Sequence, residues 1–234
     1  TRSAHTRDHR SARAYHWFCA SYFVDGGGDL SGSCPVILVT IAGAFLVVLY
    51  MDMHEAIITQ NAQLAFDPEI EFADKLKHHD TFIVAGMGGS HLAADVLTCG
   101  DPMLDIIVHA DYGLPPLKPE HGAQRLFIAS SYSGNTEEAL DGFDLALKRK
   151  MPVCAISMGG ILLERAKEEK VPYIKLPDTG IQPRSALGFS IKALLKIMGQ
   201  ERVSAQLRAL ADTLSPVSFE HTGKEIAARI AGRI

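Results

Sequence analysis

The chain has 234 residues, of which 47% are apolar and 21% charged, and its formal net charge is −4. That is enough for one large or two small domains with a real core, and the absence of a long basic run argues against nucleic acid as a partner. The four cysteines, Cys19, Cys34, Cys99 and Cys154, are scattered with no CxxC or Cys/His zinc spacing. This excludes a disulfide framework and a common zinc site, and fits reduced thiols in a cytoplasmic protein. Cys154 lies in an apolar run and reads as a small core residue. No metal is expected at the His78-His79 pair, which sits on a polar helix end.

Residues 1–34 carry Arg2, Arg7, Arg10 and Arg13 but no lysine and no helical or strand period. Pro35 to Met51 is an uncharged, apolar stretch of 17 residues. Its length is at the lower limit for a membrane span, and the arginine-rich flank would suit a cytoplasmic N-terminus. It lies too far in for a signal-peptide core. From Met53 the pattern changes: Met53, Ala56, Ile57, Leu64 and Phe66 recur at near-helical spacing. Residues 1–50 therefore read as a non-native or upstream extension rather than an anchor. Residues 51–200 form the expected domain, with no membrane partner, and 201–234 a helical linker.

In chain order, helices are predicted over 53–66 and 68–78, the second opened by Pro68, whose missing N–H costs nothing there. A short buried strand, 81–85, ends in Gly86-Met87-Gly88-Gly89-Ser90, and 91–97 reads as helix. Strand 104–109 and a proline-rich turn lead to strand 125–129. A helix follows from Glu137 to Lys150, then strand 153–157, a helix opened by Gly159-Gly160, and a last strand, 173–176. From Arg184 on the chain reads as helical, over 186–199, 201–213 and 217–232. Five short apolar strands alternating with helices predict an α/β fold: a five-stranded parallel sheet with helices on both faces, flanked by N- and C-terminal helices. Ligands of such folds bind beyond the carboxyl ends of the strands, at a switch point.

Two loops and one turn fall at that edge. Ser130-Ser131-Tyr132-Ser133-Gly134-Asn135-Thr136 joins a strand to a helix start, where free N–H groups and the helix dipole favour an anion. A single cap needs one hydroxyl. Ser131, Ser133 and Thr136 are more than that, so anion binding is favoured over capping alone. The Gly86–Ser90 loop lacks the third glycine of a dinucleotide fingerprint, which His91 replaces, and no acidic residue closes the next strand. Its glycines either permit a tight turn or let a sugar approach backbone amides at Gly88 and Gly89, with Ser90 bonding it. There is no GxxxxGK[ST], and no lysine follows either glycine cluster. A phosphate would then be held by hydroxyls and amides, without lysine or magnesium. In Gly180-Ile181-Gln182-Pro183-Arg184-Ser185-Ala186, Arg184 follows a proline just before a helix. It is either a surface residue in a linker or a partner for a phosphate or a developing oxyanion.

Taken together, Gly86-Met87-Gly88-Gly89-Ser90, Ser131-Tyr132-Ser133-Gly134-Asn135-Thr136-Glu137-Glu138 and Pro183-Arg184-Ser185-Ala186-Leu187-Gly188 resemble, in order and spacing, the sugar isomerase (SIS) domain. More closely they resemble its bifunctional phosphoglucose/phosphomannose isomerase family, over about residues 51–234. The resemblance implies a three-layer SIS fold, a homodimer and no cofactor. It implies that Ser131, Ser133 and Thr136 hold the substrate phosphate, that Gly88, Gly89 and Ser90 contact the sugar, and that Arg184 steadies a cis-enediol intermediate. The implied reaction interconverts glucose 6-phosphate, and mannose 6-phosphate in the bifunctional family, with fructose 6-phosphate. In the family a glutamate base, a ring-opening histidine and a lysine come from a second SIS half, and residues 185–234 offer no candidate for them. Glu137 and Glu138 suit the helix dipole rather than the base. The chain is thus expected to resemble the N-terminal half of such an enzyme. A non-catalytic SIS module that binds a phosphosugar is the alternative, and a third reading is the isomerase domain of an amidotransferase.

Overall fold

A computed structural model describes the backbone of residues 36–41 and 44–49 and all of residues 52–117 and 124–232. Strands β1 (Val36–Ile41) and β2 (Ala44–Leu49) pair antiparallel, from Val36 opposite Leu49 to Ile41 opposite Ala44. The stretch weighed as a membrane span is therefore a hairpin over these residues, and no helix among the described residues is long and apolar enough to cross a membrane. The arginine-bearing residues 1–34 lie outside the described residues.

The main sheet has five parallel strands, β3 (Thr81–Ala85), β4 (Asp105–His109), β5 (Leu126–Ser130), β6 (Val153–Ser157) and β7 (Tyr173–Lys175), in the order β4-β3-β5-β6-β7. Parallel strands covered on both faces read as continuous apolar runs rather than alternating ones. All five residues of β5 and of β6 are buried. The order reverses at β3, whose neighbours are β4 on one side and β5 on the other, which creates the switch point beyond the ends of β3 and β5.

Alternate side chains of each strand feed two cores. One face carries Phe82, Val84, Leu126, Ile128 and Ile156, covered by helices α2 (Gly89–Gly100) and α5 (Leu187–Ile197). The other carries Ile83, Phe127, Ala129 and Ala155, covered by α3 (Glu137–Lys148) through Phe143 and Ala146 and by α4 (Gly160–Glu168) through Leu162, Leu163 and Ala166. The result is a three-layer α/β/α body, as predicted. Each fully buried Phe, Ile or Leu contributes roughly 1.5–3 kcal/mol against leaving it in water.

The flanking segments depart from expectation in one place. Residues 53–66 are helical, as α1 (Met53–Ile58) and a 3-10 turn, Gln60–Ala65. Residues 68–78 are not an α-helix; they hold only a 3-10 turn, Ala73–Lys75. Here Glu71 exchanges both backbone hydrogen bonds with Tyr173, at 2.9 and 3.2 Å, and Phe72 turns into the left-handed region at φ 54°. Pairing with the edge strand wins over local helical preference, which is a weak prior. At the other end, α6 (Glu201–Thr213) and α7 (Glu220–Ile230) complete the chain. The buried Lys192 of α5 donates to the Ser204 carbonyl and hydroxyl oxygens, at 3.0 and 2.6 Å, fastening α6 to the body.

Cys154 lies at the centre of β6 with no exposed surface, and burial pushes its thiol up to about 12. The thiolate is the reactive form. Alkylation at pH 8 followed by mass spectrometry is expected to modify exposed Cys99 in the native protein and to reach Cys154 only in denaturant. Modification of Cys154 in the native state at the rate of Cys99 would contradict this core placement. The linkage has one sign: the unfolded thiol loses its proton from about pH 9, the folded one only near 12. This group therefore lowers stability as pH rises through that window.

Candidate functional site

The site is built from loops that leave the carboxyl ends of adjacent strands. In-register pairing of β3 with β5, Val84 opposite Ile128 and Ala85 opposite Ala129, brings their ends level. The chain leaving β3 turns at once into α2, so Ser90 is buried in the first helical turn. Its Oγ accepts the Tyr132 N–H at 3.2 Å, and its carbonyl accepts the Ser130 hydroxyl at 2.8 Å. The two loops singled out by sequence are thus bonded to each other. Met87 and Gly88 are exposed at the tip and Gly89 is half-buried.

The hydroxyls of the β5–α3 loop take different positions. Ser131 is fully buried. Its Oγ accepts the Gly134 N–H at 3.1 Å and shares a 2.9 Å hydrogen bond with Thr136 Oγ1. Ser133 is exposed, and its Oγ accepts the Asn135 N–H at 3.3 Å. Thr136, half-buried, precedes α3, and its side chain makes no capping bond. The structure therefore presents Ser133 and Thr136 to solvent and uses Ser131 from beneath. The loop rests on its neighbour after β6: a Cβ at Gly134, where φ is +75°, would overlap the Gly159 carbonyl. Asn135 Oδ1 accepts the Ile161 N–H at 3.1 Å, satisfying one of the free donors of α4.

Arg184 stands on a 3-10 turn, Pro183–Ser185, directly before α5. The turn lies against the glycine loop: a Cβ on Gly89 would come within 2.9 Å of Arg184 Cα and 3.0 Å of its nitrogen. Only glycine allows that approach. Arg184 is exposed and lines a hollow of about 210 Å³ shared with Met53, Ala56, Ile57, Gln60 and Ser185. Gly88, Gly89, Ser90, Ser131, Ser133, Thr136 and Arg184 are therefore gathered at one edge. The chain brings together a helix start, exposed hydroxyls and close-approaching backbone, donor types that suit a phosphorylated polyol; the Arg184 backbone meets this edge at Gly89, and the residue lines the hollow beside α1.

Several polar residues around this edge have no local signature. Tyr112 donates to Glu137 Oε2 at 3.0 Å, and that bond raises the phenol above its ordinary value. Asp141 accepts the Gly113 N–H at 2.8 Å. His91 donates to Asp95 at 2.7 Å one turn along α2. His109, last in β4, leaves its Nε2 buried without a hydrogen-bond partner. Buried Gln63 bonds two backbone groups beside Arg184. Only His91–Asp95, spaced i,i+4 on a predicted helix, could have been anticipated. Among the described residues no cluster of three or more His, Cys, Asp or Glu could hold a metal ion.

No family model matches the chain. Among curated proteins it is 35% identical over 170 residues to the bifunctional phosphoglucose/phosphomannose isomerase of Aquifex aeolicus, covering 70% of this chain and 51% of that protein. It is 32% identical over 185 residues to the protein of the same name in Thermoplasma acidophilum, covering 78% of this chain and 56% of that one. A D-glucosamine-6-phosphate 4-epimerase of Sulfolobus acidocaldarius is 28% identical over 173 residues, covering 71% of this chain and 51% of the epimerase. Among solved structures, the sugar isomerase domain of an RpiR transcription factor from Sphaerobacter thermophilus aligns at TM-score 0.38 and 18% identity, over 67% of this chain and 86% of that one. The chain spans about half the length of the curated relatives it matches. Over that shared length, it is a homologue of the bifunctional phosphoglucose/phosphomannose isomerases.

Proposed function

We propose that this chain is the substrate-anchoring half of a phosphosugar isomerase that interconverts glucose 6-phosphate, and mannose 6-phosphate, with fructose 6-phosphate through a cis-enediol. One observation carries the reading: the Ser90 bonds to Ser130 and Tyr132 join the glycine loop to the hydroxyl loop, and Arg184 lies against Gly89. The names of the curated relatives support it, since each is an enzyme acting on a phosphorylated hexose.

In this reading Ser133, Thr136 and the free N–H groups of α3 hold the phosphate, with Ser131 bracing Thr136. The sugar lies over Gly88, Gly89 and Ser90. Arg184 faces the oxygen that gains charge when a proton leaves the carbon beside the carbonyl. The base, a ring-opening histidine and a lysine come from a second SIS half, in keeping with relatives about twice as long as the matched region. Residues 51–200 are the SIS unit and 201–234 a helical linker. The enzyme works in the cytoplasm as a homodimer and needs no cofactor, because an enediol proton shift between neighbouring carbons changes no net oxidation state. Residues 1–50 take no part.

Two measurements test this. Calorimetry of the chain with fructose 6-phosphate is expected to show weak binding, lost by a few kcal/mol in a Ser133→Ala, Thr136→Ala double variant, since charge-assisted hydrogen bonds contribute roughly 1.5–3 kcal/mol each. Unchanged affinity in the double variant would remove the phosphate role. A coupled isomerase assay on the same chain should show no turnover of glucose 6-phosphate. Full turnover would mean that the base lies within these 234 residues.

A further inference from the structure

We infer that Gln63 is a positioning residue for Arg184: it fixes the arginine-bearing turn from a segment more than a hundred residues upstream. The inference rests on the site assignment proposed above and adds to it a residue that none of the three sequence motifs contains. Gln63 sits in the 3-10 turn after α1 and is only 5% exposed. Its Nε2 donates to the Ser185 carbonyl at 2.7 Å, and its Oε1 accepts the Gly188 N–H at 2.9 Å. These groups flank the Arg184 turn on its helical side. Gly188 N–H is one of the N-terminal donors of α5 that no residue of the same helix can satisfy. The Ala186 position before α5 offers no capping side chain, so Gln63 supplies the cap from outside.

The fit is close. A Cβ on Gly188 would stand 2.6 Å from Gln63 Cβ, so the amide enters only because residue 188 is glycine. From the opposite side the same turn is held by Gly89, whose added Cβ would reach within 2.9 Å of Arg184 Cα. The turn is thus clamped between a glycine of the sugar loop and a buried amide. Its internal bonds, Ser185 N–H to Gln182 at 2.8 Å and Ala186 N–H to Pro183 at 3.2 Å, set its shape but not its distance from Gly89. That distance depends on Gln63. Removing the amide leaves a carbonyl and an N–H unpaired in a buried place, which favours a shift of the turn toward water.

Wild type, Arg184→Ala, Gln63→Met and the Arg184→Ala, Gln63→Met double variant are titrated by calorimetry with fructose 6-phosphate and, separately, with inorganic phosphate. Methionine keeps the unbranched stem beside Gly188 and removes both hydrogen bonds. Gln63→Met should weaken fructose 6-phosphate binding about tenfold, one or two net hydrogen bonds' worth, and leave inorganic phosphate unchanged, because the Ser133–Thr136 anchor is untouched. In the Arg184→Ala background it should add no further loss, the signature of two residues acting as one unit. Wild-type affinity in Gln63→Met, equal loss for both ligands, or a loss fully additive with Arg184→Ala would each overturn the inference. If Arg184→Ala weakens binding and Gln63→Met does not, this inference alone falls. If wild type binds no fructose 6-phosphate, the phosphosugar reading falls and takes this one with it. Should Gln63→Met fail to fold, Gln63→Glu replaces it: it keeps an acceptor for Gly188, sets a carboxylate against the Ser185 carbonyl, and is held to the same outcomes.

Discussion

The exchange of Ser90 with the Ser130 hydroxyl and the Tyr132 N–H is the constraint on which the edge of this sheet depends. Ser90 gives its carbonyl to one residue of the next strand's loop and its hydroxyl to another. Each bond is worth only about 0.5–1.5 kcal/mol net, but a buried donor or acceptor left without one costs roughly 1–3 kcal/mol. The loops therefore hold their relative place less by attraction than by the cost of separating. Level strand ends make the exchange available, since β3 and β5 are neighbours in register. Beside this join lie the other close approaches: Gly89 against the Arg184 turn, and Gly134 against Gly159.

The strands and the layer architecture were legible because burial on two faces forces a composition; the strand order was not. Val153-Cys154-Ala155-Ile156 can hardly be anything but a covered strand once flanked by helices. The hydroxyl loop was legible because three hydroxyls exceed what a cap needs. Their separate roles were not. Ser131, Ser133 and Thr136 look equivalent in sequence, yet the first is sealed beneath the loop and the second faces water. Residues 68–78 read as helix because nothing local announces that Glu71 will pair with Tyr173, about a hundred residues away. Gln63 and Asn135 have the same difficulty in sharper form. A lone amide has no periodicity or spacing, and its meaning comes from partners 122 and 125 positions away for Gln63 and 26 for Asn135.

Electrostatics at the hydroxyl loop run in two directions. The start of α3 carries about half a positive charge, and Glu137 and Glu138 in its first turn oppose an incoming anion while stabilising the helix. Glu137 is engaged by the Tyr112 hydroxyl, which spreads its charge into a hydrogen bond. Both carboxylates reach solvent, where 0.15 M salt screens within about 8 Å. Backbone N–H groups, by contrast, would touch an anion directly. In the proposed reading, that short-range donation offsets the screened repulsion and holds the phosphate without a lysine.

Within the proposed reaction this separates two duties. A phosphate remote from the reacting carbons keeps its charge from start to finish, so its anchor strengthens ground state and transition state alike and mainly affects KM. Acceleration has to come from a group that already touches the bound sugar and whose interaction strengthens as charge develops. Arg184 suits that duty because of how it is held. No carboxylate pairs with it among the described residues, so its head is not already neutralised. Its backbone is pressed against Gly89 and its turn pinned by Gln63. The backbone under Arg184 is fixed, while its unpaired, exposed head is free to pair with an oxyanion at the cost of ordering the side chain. In the proposed reaction, Gly89 and Gln63 set where that side chain starts.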